Sequence, residues 1–456
     1  MIDKVIKYFT GFFNARRVCF DILLREQVSS RYIRMPRLGV TRRNDAPPFE
    51  GSWQTEGKII HSSRSVLVFT QSSNQSSVLL PALDAISKKD VEVNIIINNY
   101  RPAIESGKIK IHQLSYYQNR WRWAALLLLL SAPFKALRYT AATRKQSSRA
   151  IHGLFVDILA MREAISRLQP DLVLLSNDHL VLPRTMVLVA RHSGVPTAYV
   201  QHASVSDVFP RLSFDYAFLD GRTSAEVYAS CAGNHSPNTI LHKVPAVFLS
   251  GVQRPVETEI EPDRKTIGVT VNNVDNIDAI LACCDDLLAA NLCLVMRWHP
   301  RQKSEHVAKI RNWLSEHPGV LVSDPSVSNV AEFFSQSAIV LGGDSTILLE
   351  AAIAGRLPLY FRSGDALPHD YYGYVERGIV RECETTDEIL ETVRSGWRPS
   401  SEALRQMSAT FGTNWQGREG ELLACALHRI LNGDSLEGLY QRGQPCPPFE
   451  ELYLPS

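Results

Sequence analysis

Along the chain, short apolar runs alternate with stretches in which apolar positions recur every three or four residues. From about residue 64 the order is SVLVFTQ, a helical pattern through LLPALDAISKK, then VEVNIIINN. The rhythm resumes with a helix over 150–168, the strand PDLVLLSN, a helix around PRTMVLVARHSG, and the strands PTAYVQH and YAFLD. A second series starts near residue 265 with KTIGVTVNN, a helix at DAILACCDDLLAAN, the strand LCLVMRWHP, a helix at HVAKIRNWLSEH, and GVLVSD. It continues through NVAEFFSQ (helix), AIVLGG (strand), TILLEAAIAG (helix) and LPLYFR (strand). Strands that are apolar at every position, separated by amphipathic helices, belong to parallel sheets covered on both faces. The Pro/Glu-rich connection QRPVETEIEPDR separates the two series, so the pattern predicts an α/β protein with two doubly wound domains facing a cleft. The boundaries read as an extension over 1–60, domains over 61–255 and 256–430, and a tail over 431–456. No period of 20–50 residues repeats, which excludes a solenoid.

With 456 residues, 45% apolar and 21% charged, the chain has the composition of a globular protein and ample material for two cores. Eight cysteines without a CxxC pair indicate neither a disulfide framework nor a zinc site. The net charge of +2 argues at first against a polyanionic partner, but the charge is unevenly placed. Nine Lys and Arg and no acidic residue lie between Glu105 and Asp157, and residues 1–50 carry a further +5. Inside that interval sits NRWRWAALLLLLSAPFKALRY. Cations and aromatics beside a short apolar helix suit the surface of an anionic membrane, through residues 106–156. A buried helix with a solvated basic flank, or a groove for a polyanionic acceptor, gives the same pattern; no nucleic-acid motif accompanies it. The longest apolar stretch, 123–132, has ten residues against the ~20 needed to span a bilayer. The first residues lack a signal-peptide core and cleavage site. A cytoplasmic protein attached peripherally to the membrane is expected.

In doubly wound folds the chemistry sits in the loops after the strands. The richest is LGGDSTILLEAAIAGRLP. Gly342 and Gly343 end a strand; Asp344, Ser345 and Thr346 then open a helix, where N–H groups and hydroxyls suit a phosphate. Glu350 is placed to accept ribose hydroxyls. Helix capping by Asp344 or Ser345 is the plain alternative. In MRWHPRQK, His299 follows a strand, held extended by Pro300, with Arg297, Arg301 and Lys303 nearby; it suits a phosphate leaving group. In the first domain, Ser176-Asn177-Asp178-His179 and Gln201-His202 follow strands that read as neighbours. Asp178 and His202 are the preferred bases for an acceptor hydroxyl. Asp220 is a further candidate that also reads as an Asp-Gly turn, and Asn272 and Asn273 read equally as ligand contacts or turn residues.

The chain has no GxGxxG, GxxxxGK[ST], GxSxG or DxD motif, so no nucleotide cofactor of the dinucleotide type and no bound metal is expected. VQHA after a first-domain strand, RWHP in the second domain and GGDSTILLEAAIAGRLP together resemble GT-B glycosyltransferases of bacterial surface polysaccharide (capsule or lipopolysaccharide) synthesis. The His-Pro and Ser-Thr pairs are similar to motifs of bacterial sialyl- and polysialyltransferases. That resemblance implies two Rossmann-like domains, nucleotide-phosphate contacts by His299, Ser345 and Thr346, and a nucleotide-sugar donor, leaning toward a CMP-activated sialic-acid or Kdo type. It also implies an inverting, metal-independent transfer to a glycan or lipid-linked glycan acceptor at the cytosolic face of the inner membrane. The acid-acid-Gly triplet that carries the base in those families is matched only in part by Leu219-Asp220-Gly221. VQHA also resembles the HG element of CDP-glycerol transferases and UDP-N-acetylglucosamine 2-epimerases, with Ala203 in place of Gly. Polyol-phosphate transfer, epimerisation and a non-catalytic binding subunit therefore stand as alternatives.

Overall fold

The computed structural model describes residues 64–98, 100, 108–130, 148–207, 209–231, 244–254, 265–364, 366–446 and 449–456. The expected extension over 1–60 and residues 131–147 of the basic block lie outside the described residues. The chain divides into two compact units. The first comprises residues 1–202, 207–252 and 418–456, and the second 203–206 and 253–417.

The first unit is built on β1 (Arg64–Thr70), β2 (Val91–Ile97), β3 (Ile109–Gln113), β4 (Leu172–Leu175), β5 (Thr197–Val200), β6 (Tyr216–Leu219) and β7 (Ala246–Leu249). Its helices are α1 (Ser73–Ser87), α2 (Leu114–Leu130), α3 (Ser148–Leu168), α4 (Val181–His192) and α5 (Arg222–Ser230). The strands order themselves β3-β2-β1-β4-β5-β6-β7, all parallel. Strands such as LVLL of β4 are buried throughout, as a sheet covered on both faces requires. The order reverses direction between β1 and β4, which makes that pair the switch point.

The second unit repeats the plan. Its strands are β8 (Thr266–Val271), β9 (Cys293–Trp298), β10 (Leu321–Val322), β11 (Ile339–Gly342), β12 (Leu357–Phe361) and β13 (Arg381–Cys383). Between and after them run α6 (Ile277–Ala289), α7 (Ser304–Glu316), α8 (Val330–Gln336), α9 (Ile347–Ile353), α10 (Thr386–Ser395) and α11 (Ser401–Met407). The order β10-β9-β8-β11-β12-β13 is parallel throughout, with its switch point between β8 and β11. Alternation along β9 separates two apolar layers. Leu294, Met296 and Trp298 join one, and Val295 joins the other with Phe333 and Phe334 of α8. Local signals start the helices: Asn276 accepts from two backbone N–H groups of α6, and Asn329 with Glu332 forms a capping box for α8. Both units are thus Rossmann-like.

The chain then returns. Helix α12 (Glu419–Asn432) packs on α1, β15 (Leu452–Pro455) pairs parallel with β7, and β14 (Tyr440–Arg442) pairs antiparallel with β15. Residues 418–430, expected in the second domain, and the expected separate tail therefore belong to the first unit. The attachment is aromatic: Phe248 of β7 meets Phe218 at 5.2 Å, Tyr440 at 5.2 Å and Tyr453 at 4.9 Å between ring centroids.

Helix α2 is half-buried, not free. Leu114, Tyr117 and Ala125 pack inward, Gln118 donates to Asp157 of α3 at 2.7 Å, and Trp121 donates to Glu163 at 2.5 Å. Burial pushes the Asp157 carboxyl up to about 6 against the pull of the Gln118 bond. The outer face carries Tyr116, Arg120, Trp123 and Leu127, with Trp123 at 78% exposure.

Phe248→Ala removes the ring on which both returning strands pack. We expect a loss of about 3–5 kcal/mol in the first unit and faster proteolysis beyond residue 433, read by urea melts and limited digestion. An unchanged midpoint with no new cleavage would show that the return does not depend on this ring.

Candidate functional site

The carboxyl ends of β9, β8 and β11 lie side by side in the second sheet, and a hydrogen-bonded brace ties them together. Asn272, just past β8, donates its side-chain N–H to the Asp344 carbonyl at 3.3 Å, while its own carbonyl accepts from Gln302 at 3.0 Å. Asn273 donates to the Arg301 carbonyl at 2.8 Å and accepts from the Lys303 N–H at 2.9 Å. The two asparagines therefore lock the His-Pro loop and the Gly-Gly-Asp loop to one edge, which accounts for both residues without a ligand.

Several parts of the LGGDSTILLEAAIAGRLP motif also have duties inside the fold. A Cβ on Gly342 would stand 2.2 Å from the Thr270 hydroxyl, and one on Gly343 would stand 2.4 Å from Asp275 Oδ1. The pair is there because β8 and the loop that follows it crowd the strand end. Gly355, at φ +73°, closes α9 with its N–H on the Ala352 carbonyl and turns the chain into β12. Asp344 caps no helix: its carboxylate accepts from the Tyr360 hydroxyl at 3.1 Å and the Tyr371 N–H at 3.0 Å. It was expected to serve the donor nucleotide; it instead anchors the segment after β12 to the strand end.

Arg297 is a correction of the same kind. It lies within β9, buried, where its guanidinium donates to the Ser323 hydroxyl at 2.7 Å and to Ser328, and sits 5.8 Å over the Phe333 ring. A guanidinium inside the strand, held through Nη1 by hydroxyl and backbone acceptors, supports the layer. Burial lowers its affinity for the proton, and Glu350 is the largest of the acidic neighbours that raise it. Glu350, half-buried in α9, is thus in the electrostatic field of Arg297.

What remains are groups with no structural employment. Among the described residues, neither the Ser345 nor the Thr346 hydroxyl is hydrogen-bonded, and Thr346, the residue before α9, makes no side-chain cap. Helix α9 has only seven residues, so hydroxyls rather than a helix dipole must do any anion binding. His299 completes the group. Its Nδ1 accepts the Arg301 N–H at 3.1 Å, which places the ring hydrogen on Nε2. Burial, and then the Arg301 charge, hold its pKa below the ordinary histidine value, so the ring is neutral and offers one N–H donor.

In the first unit, Asp178 and His179 follow β4 at the switch point, and Gln201 and His202 follow the adjacent β5. Asp178 is buried with both oxygens engaged, Oδ2 by the Tyr228 hydroxyl at 2.7 Å and Oδ1 by His179 Nδ1 at 2.9 Å. Expected to meet an acceptor hydroxyl, it is held inside by a partner fifty residues downstream. Tyr228 and Tyr199 are fully buried with their hydroxyls 3.1 Å apart; burial, then Asp178, raises both well above the usual phenol range, so they stay protonated. Gln201 donates to Ser224 and accepts the Asp220 N–H at 2.9 Å, which ties the end of β6 to that of β5, and Gly221 follows as the extended residue before α5. His202 is half-buried at the end of β5. Among the described residues no group of His, Cys, Asp and Glu is arranged to hold a metal.

No protein-family profile matches the chain, and no curated protein does. Solved structures with a related arrangement include UDP-GlcNAc 2-epimerase from Neisseria meningitidis bound to UDP-GlcNAc, at 16% identity and TM-score 0.48, covering 80% of this chain and 100% of that one. Acinetobacter baumannii MurG aligns at 12% identity and TM-score 0.42, over 80% and 99% of the two chains. The wall teichoic acid polymerase TagF aligns at 11% identity and TM-score 0.46, over 81% and 89%. The likeness is distant.

Asp275 supplies a test of the brace. Its Oδ2 accepts the Asn272 N–H at 2.7 Å, and burial, reinforced by Asp344, pushes its carboxyl up to about 7. A folded-state pKa raised from 3.8 means that stability is fully present below the unfolded value and is lost as pH rises toward 7. Asp275→Asn keeps an acceptor for Asn272 without the charge. It should stabilise by roughly 1–3 kcal/mol at pH 8 and by little at pH 4, in melts across that range; a pH-independent difference would contradict the assignment.

Proposed function

We propose that this chain is a GT-B-type glycosyltransferase that moves a sugar from a nucleotide-activated donor to a growing surface glycan. One observation carries the reading. Once every residue with a structural duty is set aside, the carboxyl ends of β9 and β11 still present His299 Nε2–H and the Ser345 and Thr346 hydroxyls. Those are three neutral donors at the place where doubly wound sheets bind their ligands. Neutral hydrogen-bond donors suit a nucleotide phosphate that gains charge as the glycosidic bond breaks, since stabilising the leaving group is the larger electrostatic task. His299, being neutral, donates to the departing phosphate and does not protonate it. Glu350 stands further along α9 for the ribose hydroxyls. The acceptor proton passes to a base, giving inversion without a metal. The resemblance of the His-Pro and Ser-Thr pairs supports a CMP-activated donor of the sialic-acid or Kdo type.

The same reading places the enzyme at the cytosolic face of a membrane, where a lipid-linked glycan is extended. The outer face of α2 supports it: Tyr116, Trp123 and Leu127 are exposed along one line of the helix, with Arg120, paired to Glu163, beside them. No helix among the described residues is long and apolar enough to cross a membrane.

Thermal-shift measurements against CMP, CDP, UDP and GDP test the donor site. CMP at a hundred times its dissociation constant should stabilise the protein by about 2.7 kcal/mol, and the Ser345→Ala/Thr346→Ala variant should lose most of that shift. His299→Ala should lower turnover about 10²–10³-fold with the fold intact. A response confined to UDP or CDP would move the donor assignment, and the absence of any response would end the transferase reading. For the membrane, the full chain should sediment with vesicles containing anionic phospholipid at low salt, and Trp123→Ala should weaken it. Indifference to such vesicles would exclude attachment through α2.

A further inference from the structure

We infer that Cys425 and Lys89 form a peroxide-responsive modification site, at which oxidation of the thiol joins the two side chains through a sulfur–nitrogen bond. Both residues belong to the first unit, whereas the His299, Ser345 and Thr346 donors lie in the second, so the site stands independently of the transferase reading.

Helices α1 and α12 bring the pair together. Gly420 lies in the first turn of α12, and a Cβ there would stand 2.6 Å from Pro81 Cβ and 3.2 Å from the Ala82 nitrogen. The missing side chain lets the two helices close on each other. Beyond α1 the chain turns tightly: the Lys89 N–H bonds to the Ile86 carbonyl at 2.9 Å, and Asp90, at φ +57°, leads into β2. From that turn Lys89 Nζ donates to Cys425 Sγ at 3.2 Å. Lys88 is paired with Asp84 at 2.7 Å, and among the described residues no carboxylate competes for Lys89.

A second, buried group points to an oxygen atom on that sulfur. Tyr440 of β14 is 4% exposed, and among the described residues its hydroxyl has no hydrogen-bond partner. A buried hydroxyl without an acceptor is costly. Burial, then Cys425, raises this phenol well above its usual range, so it stays protonated and is a donor; Cys425 is the one ionisable group that acts on it. A sulfenic oxygen on Cys425 is an acceptor of the kind the hydroxyl lacks. The thiol is also within reach of a small oxidant. Cys425 is half-buried, whereas Cys231, Cys283, Cys284 and Cys383 are buried, and exposed Cys293 has no ammonium bonded to it among the described residues.

In the first step the Cys425 sulfur attacks hydrogen peroxide. A sulfur–oxygen bond forms and the oxygen–oxygen bond breaks; sulfur is oxidised, peroxide is reduced, and water leaves. Lys89, its extra proton given to solvent, then attacks the sulfur. A sulfur–nitrogen bond forms, and the sulfur–oxygen bond breaks as the oxygen departs with a hydrogen from the nitrogen as a second water. A thiol reductant reverses the link. While it lasts, it fastens the returning segment to α1 and spans, in sequence, the whole of the second unit.

The test treats the full-length protein with hydrogen peroxide, blocks the remaining thiols and measures its mass without reduction. The wild type should lose about 2 Da beyond the blocking groups and yield, on digestion, a linked peptide pair containing Lys89 and Cys425, both reversed by dithiothreitol. Its urea midpoint should rise with the link and fall back on reduction, because joining distant residues restricts the unfolded chain. Lys89→Arg keeps a donor beside the sulfur but not the amine, and should leave Cys425 as a sulfenic acid that dimedone captures. Cys425→Ser should abolish both products. Dimedone capture at Cys425 that is equal in wild type and Lys89→Arg, oxidation of Cys425 to the sulfinic acid with no linked pair, or no reaction at Cys425 would each overturn the inference. None of these outcomes bears on nucleotide binding, so the transferase reading stands or falls separately.

Discussion

The arrangement of the second unit hangs on one local constraint: the end of β8 has to be bonded to the loops on both sides of it. β8 is the strand from which the sheet grows in two directions, and its neighbours β9 and β11 carry the candidate chemistry. Asn272 and Asn273 satisfy that constraint with side-chain amides that act as backbone surrogates, bonding to Asp344, Arg301 and Lys303. Without this brace His299 and the Ser345–Thr346 pair would sit on independent loops. With it, three neutral donors are held by a rigid edge, which is what electrostatic stabilisation of a leaving group needs. The cost is a carboxylate, Asp275, kept in a half-buried position beside Asp344.

The fold was legible because most of its strands are buried on both faces and so read as uninterrupted apolar runs. The elements that escaped reading are those whose partners are distant in sequence. Strands β14 and β15 are three and four residues long, and only pairing with β7, some two hundred residues earlier, makes them part of a sheet. The site divides in the same way. His299, Ser345 and Thr346 stand out in the sequence because they follow strands, and position after a strand is a local property. Arg297 misleads because its environment is set by Ser323, Ser328 and Phe333, which no local pattern announces. Asp178 and His179 are adjacent in sequence, and the choice of which is buried is made by Tyr228, fifty residues on.

Each unit also separates its buried charge from its exposed donors. In the first, Asp178 is shielded by two tyrosines and shows only an imidazole to the outside. In the second, Arg297 is enclosed by serines and a phenylalanine, while the loops beyond the strand ends present the His299, Ser345 and Thr346 donors. A buried charge of this kind orients the polar groups around it without competing with a ligand for them.

The return of residues 418–456 to the first unit has a consequence for how the molecule is made. Apart from residues 203–206, the second unit is an insertion contributed by residues 253–417, whereas the sheet of the first unit lacks its last two strands until the ribosome has passed residue 455. The usual order of synthesis, in which the amino-terminal unit settles first, is therefore inverted. The second unit can fold while the first waits with the β7 edge open, and a nascent chain stalled anywhere short of β15 leaves that edge, with Phe248 on it, unpaired.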